Sequence, residues 1–288
     1  MYYFLSLLTG ILISVMIAAN GALTEQYGVY LATVIIHVAG LIFVSALVLL
    51  KRERFFSGTH AWFLYLGGAI GVFTTVANNF SFGRISVSAI LALGLFGQSI
   101  AGLLIDRYGF LEMPKHPFTR WKLIGLLFIL GGIASMIYNF EIIAVIASFA
   151  AGVGIVISRT LNAKLASLTS VRVGTFYNYA VGLIISIPVL LLLGGTELNP
   201  GEIVFAPNVF IYAGGILGVG VVILGNITVV KVSAFYLTLL IFIGQIFSGI
   251  LIDAVISGEF SARILTGGIL VAIGLCVNLL LDRKKFGN

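Results

Sequence analysis

The sequence predicts an all-α integral membrane protein whose ten transmembrane helices form two inverted five-helix repeats. The first observation is composition: 60% of the 288 residues are hydrophobic and only 9% are charged, with a mean hydropathy of +1.17. Soluble domains carry about 25% charged residues. The second observation is a series of apolar runs of about 20 residues, the length that crosses a bilayer core of about 30 Å. The third is that a five-run unit occurs twice.

The ten apolar runs cover nearly the whole chain, leaving only short connections. They lie at about 2–23, 28–50, 61–80, 85–105, 122–139, 142–160, 172–193, 207–229, 232–252 and 262–281. No soluble domain fits between them. No lysine follows a glycine, which excludes the GxxxxGK[ST] phosphate loop of ATP-driven pumps.

Lysine and arginine predict the orientation, because short basic loops stay in the cytoplasm during insertion. With the N terminus inside, all 16 basic residues except Arg84 and Arg263 fall on the cytoplasmic side, including Arg159 at the end of the sixth run. Both termini are then cytoplasmic. The net charge of +6 therefore indicates membrane insertion and contact with anionic lipid, not nucleic acid.

The repeat is clearest in the fourth and ninth runs, which contain GQSIAGLLID (97–106) and GQIFSGILID (244–253). GGAIGV at 67–72 likewise matches GGILGV at 214–219. Paired asparagines extend the match, Asn20 with Asn162 and Asn79 with Asn226. The sequence therefore divides into a first repeat, 1–141, and a second repeat, 142–288.

Five spans are an odd number, so a second copy that directly follows the first must enter the membrane upside down. The basic loops agree, because they follow opposite runs of the unit in the two halves. Asp106 is then expected at the cytoplasmic face and Asp253 at the outer face. Inverted repeats are the structural basis of alternating access in many secondary transporters.

Several motifs of the first repeat resemble the bacterial YdcZ family of the drug/metabolite transporter superfamily. They are an Asn at the end of the first run, GGxxG in the third, GQ in the fourth, and Asp106-Arg107-Tyr108-Gly109 after it. The second copy matches more loosely, with Ala163 after Asn162. The resemblance implies an inner-membrane protein and a fused form of separate five-span subunits, working as a monomer.

Polar residues at matched depths are candidates for a solute site. Gln98 and Gln245 lie about two turns inside the membrane, where an unpaired amide is costly, so they either line a polar cavity or bond two helices. Asn79 and Asn226 either contact the cavity or cap a turn. For Asn20 and Asn162 the alternatives are a helix C-terminal role and a ligand role.

His37 is the one ionisable residue that the sequence predicts near the middle of a span, and its counterpart is Tyr179. Its ordinary pKa near 6.5 suits proton exchange, and the alternative is a neutral imidazole that bridges two helices. No acid is predicted in the core of the first or sixth run, since Glu25 and Glu141 lie at the ends. This argues against proton-coupled export of lipophilic cations.

Glycines at GxxxG spacing predict close helix packing within each half, because small residues let helices approach in lipid. These glycines are Gly67 and Gly71 in the third run, and Gly214 and Gly218 in the eighth. No HExxH or GxSG motif predicts an enzyme, and the single Cys276 offers no metal site. No cofactor is expected.

These observations predict a secondary transporter that moves a small organic solute by alternating access, as an exporter or exchanger. The alternative is a channel or a structural partner for other membrane proteins. A lining of Asn, Gln, Tyr and one His, with no central charge, fits a neutral, zwitterionic or singly charged solute.

Overall fold

The structure is a computed structural model, and it describes residues 1–55, 58, 60–108, 122–137, 141–198, 205–229, 231, 234–258 and 261–286. Over these ranges the chain forms ten α-helices. They are α1 (Tyr2–Tyr27), α2 (Val29–Leu50), α3 (Leu66–Ser81), α4 (Val87–Tyr108), α5 (Lys122–Met136), α6 (Ile142–Leu168), α7 (Val171–Leu193), α8 (Gly214–Val229), α9 (Ala234–Ser257) and α10 (Ala262–Phe286). Short 3₁₀ helices, Trp62–Tyr65 and Val209–Ala213, lead into α3 and α8.

The helices follow the predicted apolar runs closely, and the all-α membrane class is confirmed. Eight segments in the described part of the chain are long and apolar enough to cross a membrane. In α5 and α10 the apolar segments are shorter, Leu123–Met136 and Ala262–Val277. The main difference lies in α6, which continues beyond the predicted end at 160 to Leu168.

Helices from the two repeats interleave. α1 packs against α8 and α9 of the second repeat, and its counterpart α6 packs against α3 and α4 of the first. Likewise, α2 of the first repeat packs against α8 of the second, and its counterpart α7 packs against α3 of the first. The largest apolar core is formed mainly by residues of α4, α5, α9 and α10, among which Ile129, Phe242 and Val271 are fully buried. The two halves therefore share their packing surfaces.

Equivalent helices of the two repeats contact each other in antiparallel pairs. Along α5 and α10, Gly132 lies against Gly267 while Gly274 lies against Gly125. The residue further along α5 thus contacts the residue that comes earlier in α10, so the two helices are antiparallel. In α2 and α7 the contacts are reciprocal, since Tyr179 of α7 packs on Gly40 of α2, and His37 of α2 packs on Gly182 of α7.

The GxxxG glycines make their closest contacts between the repeats, which corrects the expectation of packing within each half. An added Cβ at Gly67 would overlap the side chain of Asn162, and one at Gly214 would overlap that of Asn20. Gly218 lies against the hydroxyl of Tyr179. Gly71 is different, because its nearest neighbour, an amide oxygen of Asn178, would be 3.8 Å from an added Cβ.

Two glutamates at corresponding places each reach the start of a helix in the other repeat. Glu197, after α7, accepts hydrogen bonds from the backbone N–H groups of residues 29, 30 and 31 at the start of α2 (2.9–3.0 Å). Glu53, after α2, accepts from Ser170 (2.6 Å) and Arg172 (2.7 Å) at the start of α7. Partial burial opposes ionisation of Glu53, but Arg172 and Ser170 outweigh it and lower its pKa.

Asp253, which ends the repeated decapeptide, caps a helix of the opposite repeat. Its carboxylate accepts hydrogen bonds from the backbone N–H groups of Val87 (2.7 Å) and Ser88 (2.8 Å) at the start of α4. These groups have no partner within the helix, and a carboxylate also complements the positive end of its dipole. The side chain of the matching Asp106 lies outside the described part.

Candidate functional site

A cavity of about 260 Å³ lies between the repeats. Among the described residues its lining comes from α1–α4 and α6–α9, with none from α5 or α10. The polar residues that line it are Thr9, Asn20, His37, Thr74, Thr75, Gln98, Ser158, Arg159, Asn162, Asn178, Tyr179, Asn226 and Gln245. Helices of both repeats thus supply polar groups to one shared cavity.

Seven of the eight candidate solute-binding residues line this cavity. Asn79 does not: it is buried in α3, and its amide nitrogen lies 3.3 Å from the hydroxyl of Thr33 in α2. Its counterpart Asn226 lines the cavity, and its amide nitrogen has no hydrogen-bond partner among the described residues. The two residues therefore occupy different environments.

Gln98 and Gln245 both face the cavity but differ in their partners. The amide oxygen of Gln98 accepts a hydrogen bond from the guanidinium of Arg159 at 3.3 Å. The amide oxygen of Gln245 is buried, with no hydrogen-bond partner in the described chain. Its backbone carbonyl accepts from Ser14 of α1 at 2.8 Å, in the close contact of α1 with α9. Of the two glutamines, Gln98 is therefore the one whose side chain has an interhelical hydrogen bond among the described residues.

Asn20 and Asn162 lie within α1 and α6, so the predicted C-terminal role is wrong. Each helix continues past its asparagine, to Tyr27 in α1 and Leu168 in α6. The amide nitrogen of Asn162 donates to Asn178 at 2.9 Å and lies 3.2 Å from the hydroxyl of Ser158. The amide oxygen of Asn20 is buried without a described partner.

His37 and Tyr179 meet across the antiparallel contact of α2 with α7. Their ring centroids are 5.9 Å apart. Nδ1 of His37 lies 2.7 Å from the carbonyl of Thr33, which can only accept, so Nδ1 carries a hydrogen. The Tyr179 hydroxyl donates to the carbonyl of Gly215 at 3.2 Å. His37 thus has its described hydrogen bond within α2, packs against α7 and lines the cavity.

Arg159 is the important cavity residue that sequence reasoning misses. The hydropathy pattern predicts it at the cytoplasmic end of the sixth run. However, α6 continues to Leu168, so Arg159 lies about 14 Å from the helix end at about 1.5 Å per residue. The cavity therefore contains a charge, contrary to the prediction. The sequence does contain a signal for this longer helix. The segment LNAKLASL (161–168), which follows Arg159, has an apolar residue at every third or fourth position.

Comparison with known proteins identifies the family. A family model described as "Putative inner membrane exporter, YdcZ" matches residues 1–135 and again residues 143–277. A solved structure, described only as "Crystal structure of protein", is 16% identical, with a TM-score of 0.65 over 97% of each chain. At this identity the likeness concerns the fold. No curated protein matches the sequence significantly.

Proposed function

The chain belongs to the YdcZ family of membrane transporters, and on that basis we propose that it is a secondary transporter that carries a small organic solute by alternating access. The observation that carries the proposal is the polar cavity between the two repeats, to which α1–α4 and α6–α9 contribute. Secondary transporters with internal repeats bind their solutes at the repeat interface. Export or exchange is the proposed direction, as the family description suggests.

The inverted arrangement is part of the proposal, with both termini in the cytoplasm and all ten helices crossing the inner membrane. It is supported by the antiparallel contacts of the equivalent helices α5 and α10, and α2 and α7. It is also supported by the reciprocal roles of Glu53 and Glu197 at the helix starts. An exchange of conformations between such repeats would close the cavity on one side and open it on the other.

The proposed solute site comprises Gln98, Gln245, Asn20, Asn162 and Asn226, with His37 and Tyr179 on one wall. In the described residues, the unpaired amide atoms of Asn20, Asn226 and Gln245 are hydrogen-bonding groups that a solute could satisfy. His37 is the proposed carrier of a proton where transport is proton-coupled.

Purified protein in liposomes tests the proposal. We expect saturable flux of a small organic solute and no unitary ion currents in planar bilayers. Gln98→Ala and Gln245→Ala should reduce the flux, with elution on gel filtration unchanged. Single-channel currents would support a pore instead, and full flux in both variants would remove these amides from the site.

Cysteine labelling tests the orientation. Arg54 and Asn208 are exposed, and they lie in equivalent connections, between α2 and α3 and between α7 and α8. With Cys276 replaced by serine, Arg54→Cys should react from the cytoplasm and Asn208→Cys from outside. Labelling of both from the same side would contradict the inverted arrangement.

A further inference from the structure

We propose that Arg159 binds the anionic group of the solute, so that the transported compounds are small organic anions, typically carboxylates. This inference rests on the proposed function, because it assigns the solute class of the same cavity. Gln98 holds the guanidinium in position, and the solute's carboxylate completes its hydrogen bonds.

The position of Arg159 supports this role. Its side chain is exposed in the structure and lines the cavity, although it lies well inside α6. Its hydrogen bond among the described residues runs from Nη2 to the amide oxygen of Gln98, at 3.3 Å. A guanidinium has five N–H donors in a planar fork, so most of them are available to a bidentate acceptor.

The charge of Arg159 has no counter-ion in the described part of the chain. The cavity lining contains no Asp or Glu, and the ion pair that the structure shows, between Glu53 and Arg172, lies elsewhere. Charged residues that line a cavity of a membrane protein mark binding sites and ion pathways. An anionic solute would supply the missing counter-charge each time it binds.

The two repeats contribute different groups to the cavity, and this difference would orient such a solute. In the first repeat the position equivalent to Arg159 is Ile17, which is buried. Gln245, the counterpart of Gln98, has a buried amide oxygen with no described partner. Arg159, beside Gln98, therefore offers a cation, and Gln245 offers an unpaired acceptor. A solute with its carboxylate at Arg159 would be oriented by a hydrogen-bond donor directed at Gln245.

The cavity also limits the size of the solute. Its volume of about 260 Å³ lies below the range of about 300–1,000 Å³ typical of pockets for drug-sized ligands. Its lining from both repeats contains many apolar atoms beside the amides, among them Ile13, Met16 and Ile155. Small monocarboxylates with an apolar or weakly polar body fit this combination better than polyvalent anions.

Binding to the purified full-length protein tests the inference with matched pairs of probes. We expect benzoate and butyrate to raise the thermal unfolding temperature in detergent, and benzamide and butyramide to have much smaller effects. Arg159→Gln should weaken carboxylate binding about 10- to 100-fold, the range expected for loss of a charge-assisted hydrogen bond. Arg159→Lys should retain part of the affinity, since it keeps the charge without the fork.

Two further variants keep the test decisive if Arg159→Gln fails to fold. Gln98→Glu leaves the arginine in place but gives it an internal carboxylate at hydrogen-bond distance, so it should abolish carboxylate binding. Lys164→Gln removes the same charge from an exposed position of α6 that does not line the cavity, so it should bind like the wild type. Equal binding of acids and amides, no binding of any carboxylate, or unchanged binding in Gln98→Glu would overturn the inference.

Flux measurements separate this inference from the proposed function. Flux of a neutral or cationic solute that Arg159→Gln and Gln98→Glu leave unchanged would support the carrier and overturn the anion site. Carboxylate binding that depends on Arg159, without flux of any solute, would support the anion site and contradict the carrier.

Discussion

Replacement of Asp253 tests whether the repeated decapeptide joins the two halves. The Asp253 carboxylate accepts two backbone hydrogen bonds from the start of α4, at 2.7 and 2.8 Å, and the residue is only 9% exposed. A hydrogen bond to a charged group contributes about 1.5–3 kcal/mol to stability. Because Asp253 is buried, water cannot readily replace these hydrogen bonds when the carboxylate is removed. Asp253→Ala should therefore lower the free energy of unfolding by about 3–6 kcal/mol. Asp253→Asn retains one acceptor oxygen and should lose roughly half as much.

The assay is unfolding by SDS in mixed micelles, followed by loss of tertiary circular dichroism. Leu251→Ala serves as the control, because Leu251 lies on the same helix, is 62% exposed and makes no polar contact through its side chain. The expected order of stability is wild type and Leu251→Ala, then Asp253→Asn, then Asp253→Ala. If Asp253→Ala is as stable as the control, these hydrogen bonds do not hold α4 against α9, and the role assigned to the decapeptide is wrong.

Four further predictions concern other parts of the molecule. Gly67→Ala and Gly214→Ala should each reduce thermal stability because an added Cβ overlaps an asparagine, whereas Gly71→Ala should be tolerated; equal loss in all three would refute the packing account. Gln98→Ala should reduce carboxylate flux more than Gln245→Ala, because Gln98 is the glutamine that is hydrogen-bonded to Arg159. Uptake into liposomes measures this difference, and equal fluxes of the two variants would contradict the prediction. The lowered pKa of Glu53 gives stabilisation at neutral pH that disappears as the pH falls below 4.5 and through the folded value. Glu53→Gln should therefore lose less stability than the wild type when the pH falls below 4.5. An equal loss of stability in the variant and the wild type would exclude this role of Glu53. His37→Gln should abolish any dependence of flux on a pH gradient while downhill solute exchange continues; retained dependence would exclude His37 as the proton carrier.

The sequence is sufficient to predict the helices and seven of the residues that line the cavity. Apolar length predicts a span directly, and polar residues at matched positions of two repeats, such as Gln98 and Gln245, meet at the interface that relates the repeats. The sequence does not predict which helices of the two halves contact each other. GxxxG spacing predicts a close approach but not the partner, so the contacts of Gly67 with α6 and of Gly214 with α1 could not be read from it.

Helix ends are the other source of error, and they affect the site itself. A hydropathy run stops where charged residues begin, so the sixth run ends near Arg159, and the pattern places the arginine in the cytoplasm. The helix continues because its hydrogen bonds do not depend on lipid contact, and LNAKLASL retains a helical pattern. The same reasoning places Asn20 at a helix end, although α1 extends to Tyr27.

Several residues that hold the helices together occur in equivalent pairs, whereas the ionisable residues that line the cavity differ between the repeats. Asn20 and Asn162 pack on Gly214 and Gly67, and the carboxylates of Glu53 and Glu197 each reach a helix start in the other repeat. By contrast, Arg159 corresponds to Ile17, and His37 to Tyr179. Paired contacts give the two halves similar energies when their conformations exchange, which alternating access requires. A solute gains orientation only from groups that differ between the halves. Its orientation therefore depends on Arg159, which carries the one full charge among the described residues that line the cavity.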